Sequence, residues 1–223
     1  MSTQPFKHDL FNQFARIGKA MSNGNRLELL EFLAQGERSV DALARLSGLS
    51  VANTSQHLQQ LRQAGLVTSR KQGQKVLYRV SGEDVLELFA HLRQVAERHL
   101  AEVQRLVDDY LKTRDALEPV PAEELLQRAR EGRVTVIDVR PEEEYRSGHL
   151  PGAVNIPLPE LEQHLQALDP QQPIVAYCRG PHCVLAFDAV KLLRNRGYRA
   201  QRLEGGLPEW RLEKLPVIEE DAT

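Results

Sequence analysis

The chain has 223 residues, of which 41% are hydrophobic and 27% are charged, and its formal net charge is −2. This length suits two small domains better than one large domain, and the composition is that of a chain able to bury a core. No apolar run approaches the roughly 20 residues of a membrane span. Because residues 1–5 also lack the pattern of a secretory signal, we expect a cytoplasmic protein with no membrane partner.

The first predicted element is an amphipathic helix, because apolar residues recur at helical spacing near the start of the chain. The residues expected to face the core are Phe6, Leu10, Phe14, Ile17 and Met21. An Asn-Gly-Asn break at 23–25 separates this helix from a second one, which should end near Gly36.

Two shorter helices follow, each with a serine as its expected N-cap. Ser39 precedes the third helix, Gly48 makes a tight turn, and Ser50 precedes the fourth helix, which should end at Gly65. The inward residues of the fourth helix are predicted to be Val51, Thr54, Leu58 and Leu61.

A hairpin with strands at 66–71 and 75–80 and its turn at Gln72-Gly73 is predicted next. Ser81 and Asp84 then have capping-box spacing for a long fifth helix over 85–117. Its heptad-like seam comprises Val85, Phe89, Leu92, Ala96, His99, Val103, Leu106 and Tyr110. Such a repeat favours helix pairing across a homodimer, and the alternative is a helix packed on its own domain.

After a Pro-containing linker near 118–121, the pattern changes to alternating strands and helices. The predicted strands are 134–139, 174–177 and 199–203, and the predicted helices are 122–130, 159–168, 184–196 and 208–215. This alternation predicts an α/β domain with a mainly parallel sheet. We therefore expect a mainly α winged helix-turn-helix domain with a β-hairpin over residues 1–117 and an α/β domain over 118–223.

Charge separates the two halves: residues 1–118 have a net charge of +2 and residues 119–223 of −4, and no acidic residue occurs between Asp41 and Glu83. A surface that faces DNA phosphates requires such a stretch without carboxylates. The alternative explanation is a basic face that is only solvated. In a winged helix-turn-helix the second helix of the motif enters the major groove. The predicted base-reading residues are Asn53, Ser55, Gln56, Gln59 and Gln60, and the predicted phosphate contacts are Arg62, Arg70, Lys71 and Lys75.

The stretch RLELLEFLAQGERSVDALARLSGLSVANTSQHLQQLRQAGLVTSRKQGQKVLYRV resembles the ArsR/SmtB family of winged-helix repressors, over roughly residues 10–115. The resemblance implies a homodimer that binds double-stranded operator DNA and releases it on a signal. The cysteines of the metal and dithiol sensors are missing here, and on the last helix only His99 and Glu102 share a helix face at i, i+3 spacing. We expect no metal site and no cofactor.

The second motif, Tyr-Cys-Arg-Gly-Pro-His-Cys-Val at 177–184, follows an apolar strand and precedes a helix. The helix dipole, the loop amides and Arg179 should lower the pKa of Cys178, which we predict to be a nucleophile. A buried inert cysteine is the alternative. Two cysteines exclude a structural disulfide framework.

The sequences VIDVRPEEEYRSGHLPGAVNIP and LEGGLPEW, with the cysteine loop between them, resemble the rhodanese family over roughly residues 120–216. The resemblance implies that Cys178 takes a sulfane sulfur from thiosulfate or a persulfide and passes it to a thiol or cyanide. The loop residues that would hold this sulfur or its donor are Arg179, Gly180, Pro181, His182 and Cys183. Asp138 and Arg140 should support the fold.

Phosphatase or arsenate reductase chemistry would need an arginine where the chain has Val184. Cys183 either closes the loop as a small residue or resolves the Cys178 persulfide.

Taken together, the two resemblances predict a transcriptional repressor that responds to reactive sulfur. The alternatives are a sulfurtransferase merely localised on DNA, and an enzyme whose winged helix serves only for dimerisation.

Overall fold

A computed structural model describes residues 4–112 and 118–220 of the chain. By its internal contacts the chain divides into two compact units, 1–89 and 90–223. Helix α5 (Glu83–His99) begins in the first unit and its residues 90–99 belong to the second.

Four helices form most of the first unit: α1 (Gln4–Met21), α2 (Gly24–Ala34), α3 (Val40–Ser47) and α4 (Val51–Gln63). The predicted serine caps are confirmed, because the Ser39 side chain accepts from the Ala42 amide and the Ser50 side chain from the Asn53 amide. Gly48 adopts a left-handed conformation with φ 68°, which lets the chain turn tightly between α3 and α4.

The predicted hairpin is present as β2 (Val67–Gln72) and β3 (Lys75–Val80), with its two-residue turn at Gly73-Gln74 rather than Gln72-Gly73. A strand that the sequence analysis missed, β1 (Arg38–Ser39), pairs antiparallel with β3 and completes a three-stranded sheet. Two residues are too short a run for an alternation pattern to reveal a strand.

The core of the first unit confirms only part of the predicted inward faces. Thr54, Leu58 and Leu61 are fully buried, but Val51 is 50% exposed because it lies at the first position of α4, beyond the packed face. On α1, Met21 is buried and Ile17 half-buried. Phe6, Leu10 and Phe14, which were expected to face the core, are exposed.

The long helix predicted over 85–117 is wrong as one continuous element. At Leu100 the backbone is extended, with φ −106° and ψ 102°, and this residue separates α5 from α6 (Ala101–Val107). A π-helical turn at Asp108–Lys112 follows, and residues 113–117 lie outside the described part of the chain. The heptad seam is therefore interrupted between its His99 and Val103 positions.

The second unit contains a four-stranded parallel sheet in the order β5-β4-β6-β7. The strands are β4 (Thr135–Asp138), β5 (Val154–Asn155), β6 (Ile174–Tyr177) and β7 (Ala200–Arg202). The helices are α7 (Ala122–Arg130), α8 (Glu142–Arg146), α9 (Leu161–His164), α10 (Val184–Asn195) and α11 (Leu207–Leu212). The predicted α/β class is confirmed.

Three differences from the predicted elements concern short segments. The sequence analysis missed α8 and β5, which have only five and two residues. The helix predicted over 159–168 is short, because 3-10 turns at Leu158–Glu160 and Leu165–Ala167 flank α9. The last helix ends at Leu212, and Lys214 then takes a positive φ of 58° as the chain turns back.

Apolar side chains cover both faces of this sheet, as expected for parallel strands. One cluster joins Ile137 and Ala176 to α10, and the other joins Val136 and Val175 to Trp210 of α11. Within the described residues, no helix is long and apolar enough to cross a membrane.

Candidate functional site

The sulfur loop, residues 178–183, joins the carboxyl end of β6 to α10 and is built around the buried Cys178. Cys178 is 0% exposed, and its Sγ lies 3.4 Å from the Cys183 carbonyl oxygen and 3.9 Å from that of Gly180. The Cys183 amide donates to the Gly180 carbonyl oxygen at 3.1 Å, so the loop closes on itself. Cys183 is the N-cap residue of α10. The sequence analysis predicted this strand–loop–helix arrangement, and the structure confirms it.

Gly206 holds the loop close to the start of α11. A Cβ at this position would lie 2.4 Å from the Gly180 amide nitrogen and 2.5 Å from the Cys178 carbonyl oxygen. The Leu207 amide also donates to that carbonyl oxygen, at 3.4 Å. Only a residue without a side chain allows the two backbones to approach this closely.

Arg179 is held by a buried carboxylate that the sequence analysis did not identify as a partner. Its guanidinium donates to Glu144 of α8, with Nε–Oε2 at 2.9 Å and Nη2–Oε1 at 2.7 Å. This bidentate pair orients the first residue after Cys178. The role of Arg179 in orienting an anionic donor stays a prediction.

The pKa values of the two thiols are shifted in opposite directions. Burial raises the pKa of Cys178, and hydrogen bonding with Cys183 raises it further. Hydrogen bonding from Cys178 lowers the pKa of Cys183, with a further contribution from the Arg179 amide. The predicted lowering of the Cys178 pKa is therefore wrong, because burial outweighs the backbone hydrogen bonds from Gly180 and Ala186 that favour its thiolate.

The His182 side chain of the loop meets the final turns of α5, within the second unit. Its Nε2 lies 3.4 Å from Oε1 of Glu97. Burial lowers the pKa of His182, and the Glu97 carboxylate opposes this shift. Arg93, one turn earlier on α5, donates to Glu209 of α11 at 2.8 Å. Glu209 in turn accepts from the Gly206 amide at 2.8 Å.

Asp138 and Arg140 form a buried ion pair at the end of β4. Both side chains are fully buried, and Nη2 of Arg140 lies 2.6 Å from Oδ2 of Asp138 and 2.7 Å from the Gly148 carbonyl oxygen. The pair ties the end of the strand to the loop before β5, which agrees with the structural role expected for it.

The predicted base-reading residues lie on one helix, but they are not equally available. Asn53, Gln56 and Gln59 of α4 are exposed and Ser55 is half-buried. Gln60 is exposed, yet its Oε1 accepts from the Arg26 guanidinium of α2 at 2.6 Å. The sequence analysis missed this contact, because nothing in the spacing of Arg26 and Gln60 indicates that they meet.

The predicted phosphate contacts extend from the end of α4 into the hairpin, which we call the wing (residues 67–80). Lys71 and Lys75 are exposed near its turn. Arg62 donates to Ser69 Oγ at 3.3 Å. Arg70 is paired with Glu37, with Nε–Oε1 at 2.9 Å, so its charge is partly neutralised.

Among the described residues, no group of three or more His, Cys, Asp or Glu side chains is arranged to hold a metal ion. Of the residues available as ligands, Asp84, His91, His99 and Glu102, only His99 and Glu102 had the required spacing, and Glu102 pairs with Arg105.

Comparison with known proteins divides the chain in the same way. The bacterial regulatory protein, arsR family, matches residues 23–69, and the rhodanese-like domain family matches residues 121–213. The chain is 47% identical over 213 residues to the HTH-type transcriptional regulator Rv0324 of Mycobacterium tuberculosis, with 96% of this chain and 93% of that protein covered.

Two solved structures are similar to separate parts of the chain. One is the homodimeric winged helix-turn-helix DNA-binding domain of Mb0332 from Mycobacterium bovis, 47% identical, covering 43% of this chain and 89% of that one, with a TM-score of 0.41. The other is a rhodanese-related protein from Thermoplasma volcanium, 27% identical, covering 46% of this chain and 98% of that one, with a TM-score of 0.41.

The identity to Rv0324 extends through both halves of the chain, and each half matches its own family in the expected order. The chain therefore belongs to the ArsR-type winged helix-turn-helix transcriptional regulators and carries a C-terminal rhodanese-like domain.

Proposed function

We propose that this regulator is a homodimeric repressor whose rhodanese-like domain forms a persulfide on Cys178 and thereby changes its affinity for operator DNA. The observation that carries the proposal is the pairing of His182, in the sulfur loop, with Glu97 on α5. Helix α5 begins at Glu83, directly after the wing, so one continuous helix leads from the DNA-binding half to the sulfur loop.

The sulfur step is a transfer between thiols. The Cys178 thiolate attacks the outer sulfur of a persulfide R–S–SH, the S–S bond breaks, and R–S⁻ leaves while Cys178 becomes a persulfide. Burial raises the pKa of Cys178, so its thiol proton must be lost for the attack, and the departing R–S⁻ takes up this proton and leaves as R–SH. Thiosulfate is the alternative donor, with sulfite as its leaving group.

DNA binding is supported by the exposed polar face of α4 and by the basic wing. Asn53, Gln56 and Gln59 carry both donors and acceptors, as base edges in the major groove require. Lys71 and Lys75 suit phosphate contacts, which position the protein without reading sequence.

We expect Lys71→Ala to weaken binding to all DNA sequences and to reduce the slope of log K against log salt concentration by about 1.

Coupling between the two sites is supported by a second contact of α5. Arg93 pairs with Glu209, and Glu209 holds the Gly206 amide that packs on the sulfur loop. An added sulfur atom on a fully buried Cys178 must displace loop atoms, since protein interiors leave little free space. This displacement would reach α5 directly at His182, which faces Glu97, and indirectly from Gly206 through Glu209 and Arg93.

The deciding experiment measures operator affinity at fixed salt, before and after treatment with glutathione persulfide, for the wild type and Cys178→Ser. The probe is the DNA upstream of the protein's own gene. We expect a change of tenfold or more, about 1.4 kcal/mol, in the wild type and none in Cys178→Ser. Glu97→Gln should reduce the change, whereas Glu102→Gln, at an exposed pair with Arg105, should not.

The alternative function is a sulfurtransferase that its DNA-binding domain merely localises. The complete loop around Cys178 is compatible with turnover in the absence of any switch. Steady sulfur transfer with unchanged operator affinity would support this alternative and contradict the proposed coupling. Failure to bind any operator would leave the winged helix a role in dimerisation only.

A further inference from the structure

The second cysteine of the sulfur loop is placed against the first one. Sγ of Cys178 points at the backbone of Cys183, 3.4 Å from its carbonyl oxygen, and the two thiols also interact through their sulfur atoms. Five positions separate them in a loop that closes through the hydrogen bond from the Cys183 amide to Gly180. The described residues thus contain two thiols in one buried turn.

The surroundings of the two sulfur atoms differ in a way that suits two chemical roles. Cys178 is 0% exposed and Cys183 is 9% exposed. Backbone hydrogen bonding from Arg179 in the loop and from Leu185 at the start of α10 helps to lower the pKa of Cys183. These hydrogen bonds favour the thiolate form of Cys183, which is the nucleophilic form of a cysteine.

We propose that Cys183 is a second reacting thiol that converts the Cys178 persulfide into a Cys178–Cys183 disulfide. The inference rests on the proposed persulfide and adds to it the end state of the reaction. It assigns a chemical role to a residue that would otherwise only close the loop.

The step balances without any further oxidant. The Cys183 thiolate attacks the inner sulfur of Cys178–S–SH, the bond between the two sulfur atoms of the persulfide breaks, and hydrosulfide leaves. Both cysteines are then oxidised, and the sulfane sulfur taken from the donor has been reduced to sulfide. Reduction by a cellular dithiol returns the loop to its starting state.

The disulfide would also act on the contact with α5. His182 directly precedes Cys183, so a bond that draws Cys183 towards Cys178 moves the backbone that carries the imidazole facing Glu97. The disulfide no longer carries the extra sulfur atom that displaces the loop in the persulfide, but it changes the path of residues 182 and 183 directly.

The test uses the full-length reduced protein without oxygen, treated with one equivalent of glutathione persulfide and quenched with iodoacetamide. Peptide mapping and released sulfide are then measured for the wild type and Cys183→Ser. Serine is a preferred N-cap residue, so this substitution should leave α10 intact. We expect a 178–183 crosslink and one released sulfide per chain in the wild type. Cys183→Ser should retain one extra sulfur on Cys178 and release none.

The outcomes separate this inference from the proposed function. A wild type that keeps a stable persulfide on Cys178, with no crosslink, would overturn the inference and leave the proposed function standing. No sulfur on Cys178 in either protein would overturn both. A Cys178→Ser variant that takes up the sulfur on Cys183 would overturn the proposed order of attack.

Discussion

At the scale of single residues, the buried charges of the rhodanese-like domain have structural partners, and the sulfur chemistry is left to thiols. Asp138 pairs with Arg140, and Glu144 pairs with Arg179. Each of these carboxylates is held by a bidentate guanidinium, so neither is placed as a general acid or base. This arrangement explains why sequence signatures rich in Asp, Arg and Glu surround a site in which cysteine does the chemistry.

Removing one partner of the fully buried pair should be costly. We expect Asp138→Ala to lower the free energy of unfolding by about 3–5 kcal/mol, because it leaves the Arg140 charge buried without its partner. Trp210 is the single tryptophan and is buried in this domain, so its fluorescence during urea unfolding reports the effect.

The matched control for Asp138→Ala is Glu142→Ala. Glu142 pairs with Arg146 at 2.6 Å, but both side chains are exposed. Exposed pairs contribute about 1 kcal/mol or less. Equal losses for the two variants would contradict the structural role assigned to Asp138.

The buried Cys178 thiol should make this domain sensitive to alkaline pH. Its folded pKa is raised by burial, while an unfolded cysteine ionises near 8.5. Above that pH the folded state binds more protons than the unfolded state, so stability falls as pH rises, by at most about 1.4 kcal/mol per pH unit. Cys183 has the opposite shift, and its contribution changes only below that pH.

We expect Cys178→Ser to remove this alkaline decline between about pH 8.5 and 9.5, before tyrosines ionise near 10. Cys183→Ser should keep the decline. Urea midpoints from Trp210 fluorescence across this range provide the measurement. A decline of the same steepness in Cys178→Ser would show that another group causes it.

At the scale of secondary-structure elements, the sulfur loop depends on the approach of α11 to the end of β6. Gly206→Ala would place a Cβ within 2.5 Å of three backbone atoms, namely the Gly180 amide nitrogen, the Arg179 carbonyl carbon and the Cys178 carbonyl oxygen. We expect the loop to shift and the rate of sulfur uptake on Cys178 to fall by tenfold or more, about 1.4 kcal/mol in the barrier. Mass spectrometry after persulfide treatment measures this rate.

Gly18→Ala is the matched control for Gly206→Ala. Gly18 lies in α1, and a Cβ there would have no atom of the described residues within 4 Å. We expect an unchanged rate of sulfur uptake and a small gain in helix stability of about 0.5–1 kcal/mol. Normal uptake by Gly206→Ala would mean that the close approach of α11 is not needed.

At the scale of the whole molecule, α1 presents large apolar side chains to solvent. Phe6, Leu10 and Phe14 follow the spacing of a buried stripe, yet they are exposed in the single chain, with Phe14 at 57%. On α5 the seam residue Leu92 is also exposed. A row of exposed apolar side chains on one helix is typical of an interaction site, and in the proposed homodimer a second copy of the chain would cover this face of α1.

A charge on this surface should therefore prevent dimerisation. We expect Phe14→Asp to be a monomer in sedimentation equilibrium and to lose operator affinity, since burying an unpaired carboxylate is costly. Val154→Asp is the control, because Val154 is 50% exposed in the other unit, on β5. A dimeric Phe14→Asp protein would contradict this use of α1.

Several features were determined by the sequence alone, because they depend on local spacing. The order of α1 to α4, the Ser39 and Ser50 caps, the hairpin, α7 and the loop from β6 to α10 were all predicted and confirmed. Periodicity, capping and turn residues act within a few positions, so they can be interpreted without knowing the rest of the fold. Both families were likewise identified from motifs that lie contiguously in the chain.

Only the tertiary structure decided which groups meet across long separations. Glu144 and Arg179, Glu37 and Arg70, and Arg93 and Glu209 lie far apart in sequence, and no local pattern links them. The break at Leu100 and the raised pKa of Cys178 also depend on surroundings assembled by folding. Local residue types can indicate a reactive cysteine, but burial and neighbouring donors decide in which direction the pKa of each thiol shifts.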